Sequence, residues 1–336
     1  MPVQSDSLGA DQTADGPPTT RLAPSPTGAL HLGNARTFLI NWALARQRGW
    51  QVRCRIDDLD GPRVKSGADL GAIEDLTWLG LDWDGPETYQ RKDLSPYVAA
   101  VEKLRTDGRI YPCSCSRSQV RNAQSAPHGD DHELRYPGTC RPPTGMAGPS
   151  GASPVDRQAP GPTALRLMVP DAAVDFTDAL RGPQSINVQQ QVGDFVIATK
   201  QDLPAYNLAV VVDDARAGVT DVVRGDDLLR ATGRQILLYQ FLEREPLPRY
   251  WHVPLVLGPD GRRLAKRHGD TRLAWYRDQG VAPQQIIGLL GTWCGINPDR
   301  RPMQIGYFLE SFSIEQLPRG PVVFATEDHK WLMGSG

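Results

Sequence analysis

His31 follows a short apolar strand that breaks at Pro24 and Pro26 and tightens at Gly28, and the periodic residues Leu32, Ala35, Phe38, Leu39 and Trp42 mark one face of the helix it opens. A histidine at a helix N-terminus stands among unpaired N–H groups at the positive end of the dipole, which attracts phosphate, and Gly33 has no side chain to block a flat base. Asp57, Asp58 and Asp60 come next, after the alternating Val52, Cys54 and Ile56. A second strand therefore delivers carboxylates at its C-terminal end, the edge where open parallel sheets bind ligands. A basic loop, Lys266 to Gly269, follows a hairpin expected from Val253–Leu257, the turn at Gly258–Gly261 and Arg262–Ala265. Five cysteines, an odd number with Cys113 and Cys115 one residue apart, suit a metal site better than a disulfide framework.

The elements that must position these groups read as an α/β alternation. Ser66 with Asp69 forms a capping box for a helix through Leu79 ended by Gly80; Ser95 and Pro96 cap another whose apolar residues are Val98, Val101 and Leu104, running to Gly108. This rhythm predicts a doubly wound parallel sheet. It is interrupted by a strand from Tyr111 to Cys115, a stretch holding His128, His132, Tyr136 and Cys140, and a Gly/Pro-loaded mobile loop from Arg141 to Pro162. Strands near Phe195–Thr199 and Val219–Val223 and a helix from Leu228 to Leu242 resume it, and the remainder from Thr271 reads as short helices.

At 336 residues the chain is long enough for two units with a substantial core. Its hydrophobic content of 40% and charged content of 23% are ordinary for a soluble globular protein, with no apolar run approaching a membrane span and no signal-like head, which predicts a cytoplasmic protein. The net charge of −2 and pI near 6.3 leave nucleic-acid binding undecided. Residues 1–19 read as a disordered leader, 20–110 and 184–270 as the two halves of a catalytic domain, 111–183 as an insertion and 271–336 as a short helical region.

Four segments carry a family resemblance: R-L-A-P-S-P-T-G-A-L-H-L-G-N at Arg21–Asn34, R-I-D-D-L-D-G-P-R at Arg55–Arg63, A-Y-N-L-A-V-V-V-D-D with V-V-R-G-D-D, and R-L-A-K-R at Arg263–Arg267. In this order they resemble the class I aminoacyl-tRNA synthetases of the glutamyl and glutaminyl branch, across roughly residues 20–275. The last segment is similar to the Lys-Met-Ser-Lys-Ser signature, with Lys266 in the place of its second lysine. The resemblance implies a Rossmann-like catalytic domain that activates L-glutamate with ATP and Mg²⁺. His31 and Lys266 are then the catalytic phosphate-binding pair, with Gly33 and Asn34 also on ATP. Physically, attack of a carboxylate on the α-phosphorus requires positioning and charge neutralisation more than proton transfer. For glutamate, Arg21 and Arg224 suit its carboxylates, Tyr206 donates a hydrogen bond, Asp57 takes the ammonium group, and Leu22, Ala23, Pro24 and Ser25 complete the pocket by resemblance. A surface ion pair with Asp226 or Asp227 is the plain structural alternative for Arg224.

Asn34 replaces the second histidine of the family signature, Arg263 and Ala265 replace a lysine and a serine, and Asp57 stands where the family has glutamate. Val210, where full-length glutamyl enzymes have asparagine, leans toward the branch's short paralogues, which place glutamate on the queuosine base of tRNA(Asp). The cysteines agree: C-x-C followed by Y-x-x-x-C is similar to those paralogues' zinc knuckle, implying one structural Zn²⁺ on Cys113, Cys115, Tyr136 and Cys140, with His128 or His132 as alternatives to Tyr136. The implied partners are ATP, L-glutamate and the anticodon arm of tRNA(Asp), for a monomer. The rivals are a truncated enzyme charging the 3′ end of tRNA(Glu) and a non-catalytic paralogue.

Overall fold

The computed structural model describes residues 16–60, 63–122, 134–143, 162–262, 264 and 270–334. Most of the expected leader and of the expected Gly/Pro loop lie outside them. The chain begins with β1 (Thr19–Leu22), α1 (Leu32–Gln47), β2 (Gln51–Ile56), α2 (Ala68–Trp78), β3 (Thr88–Tyr89) and α3 (Ser95–Thr106). β4 (Ile110–Cys113), α4 (Arg117–Asn122), β5 (Ala164–Leu167), β6 (Ala173–Asp178), β7 (Gly182–Asn187), α5 (Val188–Gln191) and β8 (Val196–Ala198) follow. Next come α6 (Tyr206–Arg216), β9 (Asp221–Gly225), α7 (Leu229–Phe241), β10 (Arg249–Val253) and β11 (Val256–Leu257). The chain closes through α8 (Leu273–Asp278), α9 (Pro283–Trp293), α10 (Ile305–Ser311), β12 (Val322–Val323) and α11 (Thr326–Leu332).

β1, β2 and β3 form one parallel sheet, and β9 and β10 pair in parallel beside β6, with β7 antiparallel at the far edge. Backbone hydrogen bonding between Thr19 and Thr220, 2.9 Å from the Thr220 N–H to the Thr19 carbonyl, brings β1 against the start of β9. The C-terminal ends of β1, β2 and β9 therefore open toward one cleft. β4, β5 and β8 make a separate antiparallel sheet under the cysteine region.

Several local expectations are corrected. Ser66 does not cap α2: Gly67 holds that position in the left-handed region (φ 75°), without a side-chain cap. On α3 the buried face is Tyr97, Ala100 and Leu104, while Val98 is 58% exposed; Ser95 bonds Asp93 rather than capping, and only Pro96 plays its expected part at the first turn. The strand expected through Cys115 stops at Cys113. The turn after β11 closes with Leu264 N–H on the Val256 carbonyl (3.1 Å), but β11's strand partner is β12, a parallel pairing from the tail that no local pattern announced.

Apolar residues of the tail, among them Leu273, Ile286, Leu290, Trp293 and Phe308, share one core with Leu22, Leu32, Leu39 and Leu44. Arg36 ties the two regions together. Fully buried on α1, it donates to the carbonyls of Pro254 (2.6 Å) and Trp293 (3.1 Å). A second core gathers α3, α6, α7 and the β6–β7–β9 side. The third is small: Tyr111, Cys113, Val120 and Tyr136. Among the described residues, no helix is long and apolar enough to cross a membrane.

Candidate active site and cysteine cluster

A cavity of about 910 Å³ opens where β1, β2 and β9 end, lined by residues of the 21–34 turn, by Asp57, Asp60 and Thr199, and by Tyr206 and Arg224. At its helix wall His31 is the N-cap of α1. Its Nδ1 accepts from the N–H groups of Gly33 (3.1 Å) and Asn34 (3.4 Å), and the Asn34 Oδ1 accepts from the His31 N–H (3.4 Å). Because Nδ1 is an acceptor, the ring proton sits on Nε2. A Cβ at residue 33 would lie 3.1 Å from the His31 ring, so glycine there makes room for the capping imidazole. Asn34, read in the sequence as a lost histidine, completes this reciprocal cap.

The floor is a chain of buried charges. Asp214, at the end of the apolar run in α6, accepts from Arg21 Nε (3.1 Å) and Arg55 Nη1 (2.5 Å), and Arg55 reaches on to Asp57 through Nε (2.6 Å). Burial alone would raise the Asp214 carboxyl, but Arg21 and Arg55 hold it below its ordinary value. Burial pushes the Asp57 carboxyl up, with Arg55 opposing. Neighbouring Asp213 is likewise held by Tyr97 Oη (2.8 Å) and Gln90 Nε2 (2.8 Å). Among the described residues, Arg21 spends only Nε on protein side chains, so its two Nη groups remain for a ligand in the cavity that it lines.

Arg224 is a further buried cation, 5% exposed near the end of β9. It does not pair with Asp226 or Asp227. Its Nε donates to His252 Nε2 (3.0 Å), Nη1 to Gln235 Oε1 (2.8 Å) and Nη2 to Thr232 Oγ1 (2.8 Å), with the Tyr250 ring 5.4 Å away. All four groups are neutral in this arrangement. Burial lowers the Arg224 pKa from its ordinary value, but a guanidinium stays charged, so the cavity holds a cation that no side-chain carboxylate contacts directly among the described residues. Tyr206, the first residue of α6, is 47% exposed and lines the same space.

The sulfurs of Cys113, Cys115 and Cys140 lie within 4.8 Å of one another, Cys115 and Cys140 at 3.6 Å. Thiolates on a tetrahedral ion at ~2.3 Å stand about 3.8 Å apart, so the three can share one Zn²⁺. Tyr136 Oη sits among them, 3.5 Å from Cys113 Sγ and 4.0 Å from Cys115 Sγ. Arg166 lies across the Tyr136 ring (3.7 Å) and donates from Nε to Cys113 Sγ (3.2 Å). The backbone closes tightly here: Gly193, at φ 67°, leaves no space for a Cβ, which would stand 2.4 Å from the Tyr136 carbonyl oxygen. Cys54 and Cys294 are buried elsewhere.

Of the residues expected in the pocket, Arg21, Ala23, Pro24, Ser25, His31, Asn34, Asp57, Tyr206 and Arg224 line the cavity. Leu22 and Gly33 are not among its lining residues: the Leu22 side chain is in the core, and Gly33 lies behind the His31 ring. Lys266, Arg263 and Ala265 lie outside the described residues, as do His128 and His132. The segment after the basic loop does reach the site, since Leu32 N–H donates to the Thr271 carbonyl (3.0 Å) and Leu273 N–H to the Leu30 carbonyl (2.9 Å). Sequence reasoning gave no role to Arg55, Asp214, Asp178 or His252. The available signal was charge set in apolar strands and at the end of V-V-V-D-D, which requires buried partners.

Residues 19–328 match the family of tRNA synthetases class I (E and Q), catalytic domain. A Glutamyl-Q tRNA(Asp) synthetase of Symbiobacterium thermophilum is 44% identical over 329 residues, covering 94% of this chain and 98% of that protein. One of Rhodopirellula baltica is 46% identical over 291 residues, covering 83% and 85%. Among solved structures, a glutamate tRNA ligase of Elizabethkingia meningosepticum in complex with its amino acid superposes with a TM-score of 0.75 at 25% identity, over 94% of this chain and 69% of its own.

Proposed function

This chain belongs to the family of class I (E and Q) tRNA synthetase catalytic domains, a ligase family, and we propose that it activates L-glutamate with ATP without needing tRNA and transfers it to the queuosine base of tRNA(Asp). The observation that carries the amino-acid half is the pairing, in one cavity, of a buried guanidinium lacking a carboxylate partner, Arg224, with the carboxylate of Asp57. Glutamate carries two carboxylates and one ammonium group. Arg224 and the free Nη groups of Arg21 hold the carboxylates, Tyr206 adds a donor, and Asp57 holds the ammonium. Ala23, Pro24 and Ser25 wall the pocket, with Leu22 behind them.

The α-carboxylate then attacks the α-phosphorus of ATP and pyrophosphate leaves. His31 Nε2–H and Lys266 hold phosphate oxygens, Gly33 and Asn34 shape that helix end, and Mg²⁺ on the nucleotide neutralises phosphate charge. A hydroxyl of the queuosine cyclopentenediol next attacks the adenylate carbonyl and AMP leaves. The relatives that the chain matches along nearly their whole length carry that activity in their names, which favours this acceptor over a 3′ end. Residues 20–110 and 184–270 form the two catalytic halves, 111–183 the zinc-binding insertion on Cys113, Cys115, Tyr136 and Cys140, and 271–336 a short helical stem-contact region.

The test is glutamate-dependent ATP–pyrophosphate exchange without tRNA, followed by transfer to queuosine-containing tRNA(Asp) whose 3′ terminal nucleotides have been removed enzymatically. Exchange without tRNA and labelling of the trimmed acceptor are expected. Exchange that requires tRNA refutes the first half, and labelling of intact tRNA(Glu) but not trimmed tRNA(Asp) refutes the second.

A further inference from the structure

Three neighbouring strands carry a buried line of polar groups that ends at Arg224 and whose other members, Asp178 and His252, the proposed chemistry does not itself use. β6, β10 and β9 lie side by side, with Tyr250 opposite Asp178 and His252 opposite Arg224 in the register. Asp178 Oδ2 is 2.6 Å from His252 Nδ1, and His252 Nε2 is 3.0 Å from Arg224 Nε; neither Asp178 nor His252 is exposed. Arginine can only donate, so His252 Nε2 must be an acceptor and its proton must sit on Nδ1, facing Asp178. Thr232 Oγ1, 3.3 Å from the same nitrogen, accepts from Arg224 Nη2 and so can give its own proton to Nε2.

We propose that Asp178 and His252 are positioning residues: Asp178 selects the Nδ1–H tautomer of His252, whose Nε2 then holds Arg224 in the orientation that receives the substrate carboxylate. The inference rests on the reading of Arg224 as the carboxylate-binding residue. Asp178 is well placed to select a tautomer because its other oxygen is committed. Oδ1 accepts from the backbone N–H groups of Leu180 (3.0 Å), Arg181 (2.8 Å) and His252 (3.3 Å). In Asp178→Asn these three donors would keep the amide oxygen at the Oδ1 position and turn the NH₂ toward His252. Nδ1 then has to accept, the proton moves to Nε2, and an N–H faces the Arg224 Nε–H. Two donors cannot share that contact, so Arg224 must turn away.

The experiment compares wild type, Arg224→Gln and Asp178→Asn in tRNA-independent exchange, varying glutamate and ATP separately, with His252 ring-nitrogen NMR shifts read on the folded proteins. Asp178→Asn is expected to raise the KM for glutamate roughly 10- to 100-fold, the loss of one charged hydrogen bond, while the KM for ATP and kcat at saturating glutamate change less than about 3-fold. The NMR shifts should report the tautomer moving from Nδ1–H to Nε2–H. If Arg224→Gln raises the glutamate KM and Asp178→Asn does not, or if the tautomer stays, the relay is wrong while the carboxylate reading stands. If Arg224→Gln also leaves the glutamate KM unchanged, the reading of Arg224 falls first.

Should Asp178→Asn fail to fold, His252→Gln and His252→Leu decide between the roles. Both remove the imidazole's bond to Asp178, but only glutamine can offer Arg224 Nε an oxygen. The expected result is a lower glutamate KM for His252→Gln than for His252→Leu; equal values would overturn the relay.

Discussion

The floor of the cavity and the cysteine cluster both gather polar groups, yet they are held in opposite ways. Around Asp214 the protein supplies both signs of charge itself: Arg21 and Arg55 meet one carboxylate, Arg55 meets Asp57, and large cores lie on either side. Around Tyr136, among the described residues, a small core of Tyr111, Cys113, Val120 and Tyr136 stands beside three converging thiols, with Arg166 donating to the Cys113 sulfur. The first region is complete without a guest ion. The second gathers three thiols that could share one metal ion, the zinc proposed above.

Chelation is the sharpest way to break this contrast. One zinc per chain is expected by elemental analysis, and stripping it should cost the cluster on the order of 10 kcal/mol, as in small zinc-folded units. Hydrogen exchange should then accelerate in 110–115 and 134–141 while the strands around Asp214 stay protected. Protection unchanged in both regions, or a zinc-free protein with full activity, would remove the distinction. Asp214→Asn probes the opposite side. Taking one charge from a buried ion network costs about 3–5 kcal/mol. A lowered Tm is expected, with exchange protection lost around β1, β2 and α6 and zinc content unchanged; a stability loss under about 1 kcal/mol would show that the network is not held by its charges.

The smallest expected effect is one of pH. Burial, with Arg224 and Arg181 nearby, holds the His252 pKa below its ordinary value of 6.5, although Asp178 works against it. The unfolded chain therefore binds a proton here more readily than the folded one. The contribution is whole above 6.5 and is lost as pH falls below it, at no more than about 1.4 kcal/mol per pH unit for one proton. Asp178, held low by His252 and backbone N–H groups despite its burial, extends the loss to lower pH. Denaturant midpoints of wild type and His252→Gln between pH 7 and 5 should converge as pH drops. Parallel curves would show that His252 is not the group being titrated.

Local signals were sufficient wherever a residue's role depends on its own neighbours in the chain. The break at Pro24 and Pro26, the His31 helix start and the alternation of β2 are short-range matters of φ, hydrogen bonding and periodicity, and each formed as the sequence implied. Short-range patterns also misled: Ser66 and Ser95 have the side chains of caps, but the preceding chain enters α2 through a left-handed glycine and α3 through Leu94, leaving neither serine at the cap. The gathering of Cys113, Cys115 and Cys140 was an expectation that the family resemblance supplied, with Tyr136, His128 or His132 as the fourth group. That Arg166 stands over Tyr136 was not, because it comes from β5 on the other side of a long connection.

The sequence by itself determined which groups carry charge and which strands end beside the cavity, since residue type and strand periodicity are properties of the chain alone. Only the tertiary structure decided what each charge meets. Arg224, beside Asp226 and Asp227 in sequence, meets His252, Gln235 and Thr232 instead, and Arg21 reaches Asp214 across 193 residues. A buried charge must find its partner from whatever packing brings within about 3 Å, and strand order, not sequence distance, decides what that is.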